Sequence, residues 1–251
     1  CVPTTGEIAQ NLAIHGDFIK DVAYSVDDLE TCLALIEKNG GKIIKQSKMI
    51  KDEFGSVKKA KIAGPTGNLV HTLVQNVDYA GIFLPGFKPA ENFKLPGKLG
   101  RLPINSLDHV VENYPENMSD EISDWYAKML KLNRFWSIDD VQVHTEYSAL
   151  KAQIVSNSDN SVQVTIIEPV SNYLERRGQV QEFLDFHGGP GIQHIAFKVS
   201  DIVKTVDEMR ERGVEFLDIP DTYYDQLEAR LTSANMRIEE NLKDVRKLKL
   251  L

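Results

Sequence analysis

Cysteine is nearly absent from this 251-residue chain: Cys1 and Cys32 are its only two. Two cysteines cannot build a disulfide framework, and neither stands in a CxxC metal spacing. No apolar run approaches the roughly 18 residues that a membrane-spanning helix needs. Positive charge is in deficit, with 29 Lys+Arg against 37 Asp+Glu, so the formal charge of −8 argues against nucleic acid or an anionic membrane as a partner. There is no Walker loop, no GxGxxG after a strand and no GxSxG, which leaves nucleotide binding and serine hydrolysis without support. An initiator methionine is also lacking. The chain starts at Cys1 and stops at Leu251 inside a helical Lys/Leu-rich pattern, so a processed or internal piece of a longer protein is expected.

What is present is ordinary globular material. An apolar share of 42% with 26% charged residues excludes disordered, collagen-like and coiled-coil chains, and the length allows one large domain or two ordinary ones. An internal repeat organises it. Ile19-Lys-Asp-Val-Ala-Tyr-Ser-Val-Asp-Asp-Leu29 aligns without gaps on Ile192-Gln-His-Ile-Ala-Phe-Lys-Val-Ser-Asp-Ile202. Each copy predicts a strand and then an amphipathic helix, carried by Leu29, Cys32, Leu33 and Ile36 in one and Ile202, Val206 and Met209 in the other. Each helix meets a glycine at the same distance, Gly40 and Gly213, and a further apolar segment follows at Lys42–Ile44 and Glu215–Leu217. A looser third copy starts at Leu107-Asp-His-Val-Val111, with a helix over Asp120–Leu130.

Further strands are expected at Ser56–Ile62, Asn68–Val74, Val141–Tyr147, Lys151–Val155 and Val162–Ile167, each bounded by turn residues. The Pro/Gly-rich stretch from Leu84 to Pro103 reads as a linker, dividing an N-terminal half (1–100) from a C-terminal half (101–251). Tyr224–Leu251 reads as helical, with Ile238, Leu242, Val245 and Leu248 in phase. Short strand–helix–strand units imply an α+β fold of tandem modules, with curved mixed sheets around a shared cavity.

Six histidines occur, and a structural or surface role is the ordinary one. The repeat singles out His109 and His194, which occupy equivalent positions in their units while the first copy carries Asp21 there. Paired repeats would aim both imidazoles into one cavity, and nitrogen ligation with a carboxylate and open positions suits non-haem Fe(II). His144 and Glu146 share a strand face and form a rival pair. His187, beside Gly188-Gly189, reads as a helix-end residue favouring the macrodipole; His15 and His71 carry no supporting constellation, and Cys32 reads as core.

These residues carry a resemblance. The segments His15-Gly-Asp-Phe-Ile-Lys-Asp-Val-Ala23, Phe83-Leu-Pro-Gly-Phe87, Asp108-His109, Arg134-Phe-Trp-Ser-Ile-Asp-Asp-Val-Gln-Val-His-Thr-Glu-Tyr147, Gly191-Ile-Gln-His-Ile-Ala196 and Thr222-Tyr-Tyr-Asp-Gln-Leu227 resemble the 4-hydroxyphenylpyruvate dioxygenase family over essentially the whole length. The resemblance implies a vicinal-oxygen-chelate fold of βαβββ modules. It also implies an Fe(II) cofactor held by two histidines, matched by His109 and His194, and by a glutamate expected beyond Leu251. His144 and Glu146 match no ligand of the family. The implied partners are the 2-oxo acid 4-hydroxyphenylpyruvate and O2, converted to homogentisate and CO2 in tyrosine breakdown.

Gln179 and Gln193 match pocket glutamines of the family. Three pocket positions depart from its pattern: a serine is Ala152 here, a proline is Thr165 and an asparagine is Ile167. Thr165 and Ile167 look like hydroxymandelate synthase, a sister enzyme that oxidises the benzylic carbon of the same substrate, although that enzyme keeps the serine. A homodimer in the cytoplasm is the family expectation, with mitochondria as the alternative compartment. The contrasting expectation is that this chain, lacking the third ligand, the closing helix and the first N-terminal module, is a non-catalytic fragment.

Overall fold

The structure is a computed structural model, and it describes residues 5–90, 100–138, 150–170 and 178–250. The expected strand over 141–147, with His144 and Glu146, lies outside these residues, as does part of the Leu84–Pro103 stretch. Among the described residues no helix is long and apolar enough to cross a membrane.

The repeat folds as one motif made twice. In the first copy β1 (Asp21–Ser25) leads into α2 (Leu29–Lys38), then β2 (Ile43–Asp52), β3 (Gly55–Ala63) and β4 (Val70–Asn76), after a short leading helix α1 (Gly6–His15). The sheet order is β1-β4-β3-β2. β1 runs parallel to β4, with Asp21 opposite Val70 and Ser25 opposite Val74, while the other pairs are antiparallel. In the second copy β5 (Ile104–Asn113) leads into α3 (Ser119–Leu130), β6 (Asn133–Ile138), β7 (Leu150–Ser156) and β8 (Gln163–Pro169). Its order repeats the first, and a further strand, β9 (Gly191–Val199), is added beside β5 to give β6-β7-β8-β5-β9. A parallel pair needs a crossover, and the helix after the first strand supplies it.

Equivalent residues do equivalent work. The Asp28 carboxylate caps α2 by accepting from the amides of Glu30 and Thr31, and Asp201, its counterpart in the repeat, caps α5 (Ile202–Glu211) by accepting from Lys204. Gly40 and Gly213 follow their helices at φ 79° and 83°, the left-handed conformation that glycine adopts without strain.

By Cα packing the chain divides into one unit of Cys1–Asn92 with Asp108–Ala196, and another of Phe93–Leu107 with Phe197–Leu251. Within the first, α2 buries Leu29, Leu33 and Ile36 against Ala60, Ile62 and Leu73, and Met129 of α3 joins the same cluster. The other face of α3 buries Ile122 and Tyr126 against Val155, Val164 and Ile166. The two modules are thus joined helix to helix. Gly41 lies at this junction, where an added Cβ would fall 2.8 Å from the Met129 sulfur. α4 (Gln179–His187) packs on β8 and on α1.

The second unit corrects two expectations. Glu215–Leu217 forms no strand, and Leu217 is 83% exposed; among the described residues this segment meets no strand to pair with. The C-terminal helical pattern is broken into α6 (Asp221–Ser233) and α7 (Leu242–Lys247), with Ile238 between them. Asn235 takes φ 52° and ends α6, and the Asn241 side chain starts α7 by accepting from the Lys243 amide. Apolar phase alone passes over both asparagines. Tyr224 then ties the two helices by donating to the Leu250 carbonyl, and Arg246 bridges Asp221 and Asp225.

Candidate metal centre

β5 and β9 are neighbours, and each brings one repeat-matched histidine to the same place. The rings of His109 and His194 stand 5.9 Å apart between centroids, edge to face at 71°. His109 Nδ1 donates to Asp108 Oδ2 at 2.7 Å, and His194 Nδ1 donates to Gln193 Oε1 at 2.8 Å, in the tautomers that this network selects. Both rings are therefore oriented through Nδ1, which leaves Nε2 of each open to ligate a metal ion. Burial, and secondarily the neighbouring His109, hold the His194 imidazolium below its usual pKa, so a neutral ring with a free lone pair prevails near pH 7.

The pair fits two positions of a metal site. Imidazoles sharing an ion at about 2.1 Å hold their ring centres within about 6.5 Å of each other, a span that the observed separation meets. Among the described residues, no group of three or more His, Cys, Asp or Glu is placed to hold a metal ion. The carboxylate that would complete a two-histidine, one-carboxylate triad is therefore not among them.

The other expected pocket residues separate into two sets. Ala152, Thr165 and Ile167 fall together: Ala152 is opposite Ile167 across β7–β8, and Ile154 is opposite Thr165. The parallel β8–β5 ladder extends these rows, placing Asn113 beside Ile167 and Val111 beside Thr165. Alternation along β5 puts His109 on that same face, two rows further on. Gln193 touches His194 directly. Gln179 is exposed at the first residue of α4, and among the described residues no hydrogen bond joins it to either histidine. A cleft of about 180 Å3 between α2 and α3, lined by Tyr24, Cys32, Met129 and Lys131 among others, lies apart from this face.

Behind the histidine strand lies a group that the sequence did not announce. Glu112, on the opposite face of β5, is fully buried. Its two oxygens accept from the hydroxyls of Tyr114 (2.8 Å) and Tyr126 (2.7 Å), and Tyr126 Oη lies 3.3 Å from His71 Nε2. His71 is itself buried on β4, and its Nδ1 donates to the Val22 carbonyl at 3.2 Å. Burial pushes the Glu112 carboxyl up to about 7 and the His71 imidazolium down to about 4. When Glu112 is protonated it donates to Tyr126, whose hydroxyl is then free to donate to His71, and every partner is satisfied. This chain of bonds runs from β5 and α3 of one module to β4 and β1 of the other.

His187 ends α4 as expected, but not as a cation favouring the helix dipole. It is buried, stacked on His15 at 4.5 Å and on Phe183 at 5.1 Å, and burial lowers its pKa. His15 in turn donates from Nδ1 to the His187 carbonyl at 2.6 Å, so the two histidines pin α1 to α4.

Two βαβββ modules, with histidines meeting on neighbouring strands, define a class in which a metal sits on an open sheet face. The model of the glyoxalase/bleomycin resistance protein/dioxygenase superfamily matches residues 106–239. A 4-hydroxyphenylpyruvate dioxygenase of Dictyostelium discoideum is 38% identical over 99% of this chain and 68% of its own length. Another, from Caenorhabditis elegans, is 40% identical over 100% and 64%, and a putative protein of the same nematode is 42% identical over 94% and 65%. Among solved structures, a triple mutant of 4-hydroxymandelate synthase from Streptomyces coelicolor superposes with a TM-score of 0.77 at 27% identity, over 99% of this chain and 66% of that one. The chain belongs to this superfamily and, within it, to the 4-hydroxyphenylpyruvate dioxygenase family. It spans just under two thirds of the length of the first two relatives, 65% and 64%.

Proposed function

We propose that the chain carries two ligands of the metal centre and the ring-binding sheet face of an Fe(II)- and O2-dependent oxygenase. Its reaction converts 4-hydroxyphenylpyruvate to homogentisate with release of CO2. The observation that carries this reading is the meeting of His109 and His194 at 5.9 Å in a chain of this family. Bound Fe(II) would supply chelation of the 2-oxo acid and activation of O2. The protein's own part is orientation. Asp108 and Gln193 fix the two imidazoles, and the face bearing Ala152, Thr165 and Ile167 holds the aromatic ring, so that the reacting carbon is presented in one pose with water excluded. A cytoplasmic homodimer is part of the same proposal.

Formation of 4-hydroxymandelate is the competing outcome, because Thr165 and Ile167 stand in adjacent rows of the ring-binding face where the family pattern has proline and asparagine. The test is turnover by the full-length gene product given Fe(II), O2 and 4-hydroxyphenylpyruvate. Homogentisate supports the proposal and 4-hydroxymandelate moves the chain to the sister reaction. Absence of both, with O2 uptake no faster than without protein, refutes it.

A further inference from the structure

Asn113 is fully buried at the end of β5, yet among the described residues neither its side-chain oxygen nor its side-chain nitrogen has a hydrogen-bond partner. Burying a carboxamide without partners costs free energy, so native interiors leave few such groups, and each asks for an explanation. Of the buried atoms without partners among the described residues, Asn113 alone contributes both a donor and an acceptor from one side chain. Its place explains why. Ladder register sets Asn113 beside Ile167, and Ile167 opposite Ala152, so the three form one row across β5, β8 and β7. The other two members of that row are apolar. His109 lies on the same face four residues back, about 13 Å along the strand.

We propose that the Asn113 carboxamide is the polar anchor for the far end of the substrate. It would accept from the ring hydroxyl through Oδ1 and donate to the same oxygen through Nδ2. A phenol offers one donor and an acceptor lone pair at a single atom, which matches an amide with both functions idle. Ala152 and Ile167 offer no polar contact, so within this row Asn113 is the side chain able to tell a hydroxylated from a plain phenyl ring. A site built to hydrogen-bond a hydroxyl rejects the analogue lacking it, because the buried amide then stays unpaired. This inference rests on the proposed aromatic 2-oxo acid reading and names the residue that reads its ring.

The experiment measures anaerobic binding of 4-hydroxyphenylpyruvate and of phenylpyruvate to the Fe(II)-loaded full-length protein by titration calorimetry. It also records the thermal midpoint of the ligand-free protein. The wild type is expected to prefer the hydroxylated compound at least tenfold. Asn113→Leu and Asn113→Ala should bring that ratio near one while leaving phenylpyruvate affinity within about threefold. Asn113→Leu should also melt higher than the wild type without ligand, since an apolar group there needs no partner. A preference that survives in both variants overturns the inference while leaving the aromatic 2-oxo acid reading intact. Failure of the wild type to bind either compound overturns both.

Discussion

Glu112→Gln isolates a carboxyl group that the fold takes wholly out of water and sets between two tyrosines. In the folded protein burial pushes its pKa up from 4.5 to about 7, against the opposing pull of the Tyr126 and Tyr114 hydroxyls. A folded-state pKa above the unfolded one means that the native state binds the proton more tightly. The associated stability is fully present below about pH 4.5 and is lost as pH rises through 7. At about 1.4 kcal/mol per pH unit, the loss amounts to about 3 kcal/mol. His71 works in the other direction. Burial lowers its pKa from 6.5 to about 4, so its contribution is lost as pH falls across that interval, and the two slopes offset each other in the wild type. Glutamine keeps the shape, accepts from Tyr114 and donates to Tyr126, but does not titrate. Urea unfolding of wild type and Glu112→Gln at half-unit steps from pH 5 to 8 therefore cancels His71 in the difference. The variant should gain on the wild type as pH rises, by about 3 kcal/mol across the Glu112 interval, and its own stability should rise with pH up to about 6.5. A difference that stays constant from pH 5 to 8 would refute the buried-acid account.

Three further outcomes are expected. Asp108→Asn, which weakens the acceptor that orients His109, should lower Fe(II) affinity about 10- to 100-fold without changing the thermal midpoint of the metal-free protein; an unchanged affinity assigns Asp108 no orienting role. Gly41→Ala forces a Cβ toward the Met129 sulfur and the Ile36 side chain, so chemical denaturation should show a loss of about 1–3 kcal/mol, and a neutral result would mean that the α2–α3 junction is looser than its packing shows. Met129→Ala empties a position shared by both modules and should cost about 2–5 kcal/mol by the same measurement.

Much of the fold was legible because the repeat writes the same local rules twice. Asp28 and Asp201 cap, Gly40 and Gly213 terminate, and a strand precedes each helix. The histidine pair was legible for the same reason: the repeat, with its looser third copy at Leu107–Val111, makes His109 and His194 equivalent, and the sheet then makes them neighbours. Asn113 and Glu112 were not legible. Val110 to Tyr114 is buried on both faces of β5, so the stretch Val-Val-Glu-Asn-Tyr shows no alternation to say which side chain meets what. Tyr126, one partner of Glu112, comes from α3, 14 residues on, and the apolar neighbour of Asn113, Ile167, comes from β8, 54 residues on, which no local pattern reports. The broken C-terminal helix has a plainer cause: the two asparagines that stop and restart it act through their own side chains and backbone, outside the apolar phase.

The most direct test of the central claim is an anaerobic Fe(II) titration of the full-length protein beside its His109→Ala and His194→Ala variants. The account predicts one saturable site whose affinity falls at least 100-fold in each variant while the thermal midpoints of the metal-free proteins stay close together. Wild-type affinity retained by either variant would contradict the assignment of that histidine as a ligand, and with it the metal centre built on β5 and β9.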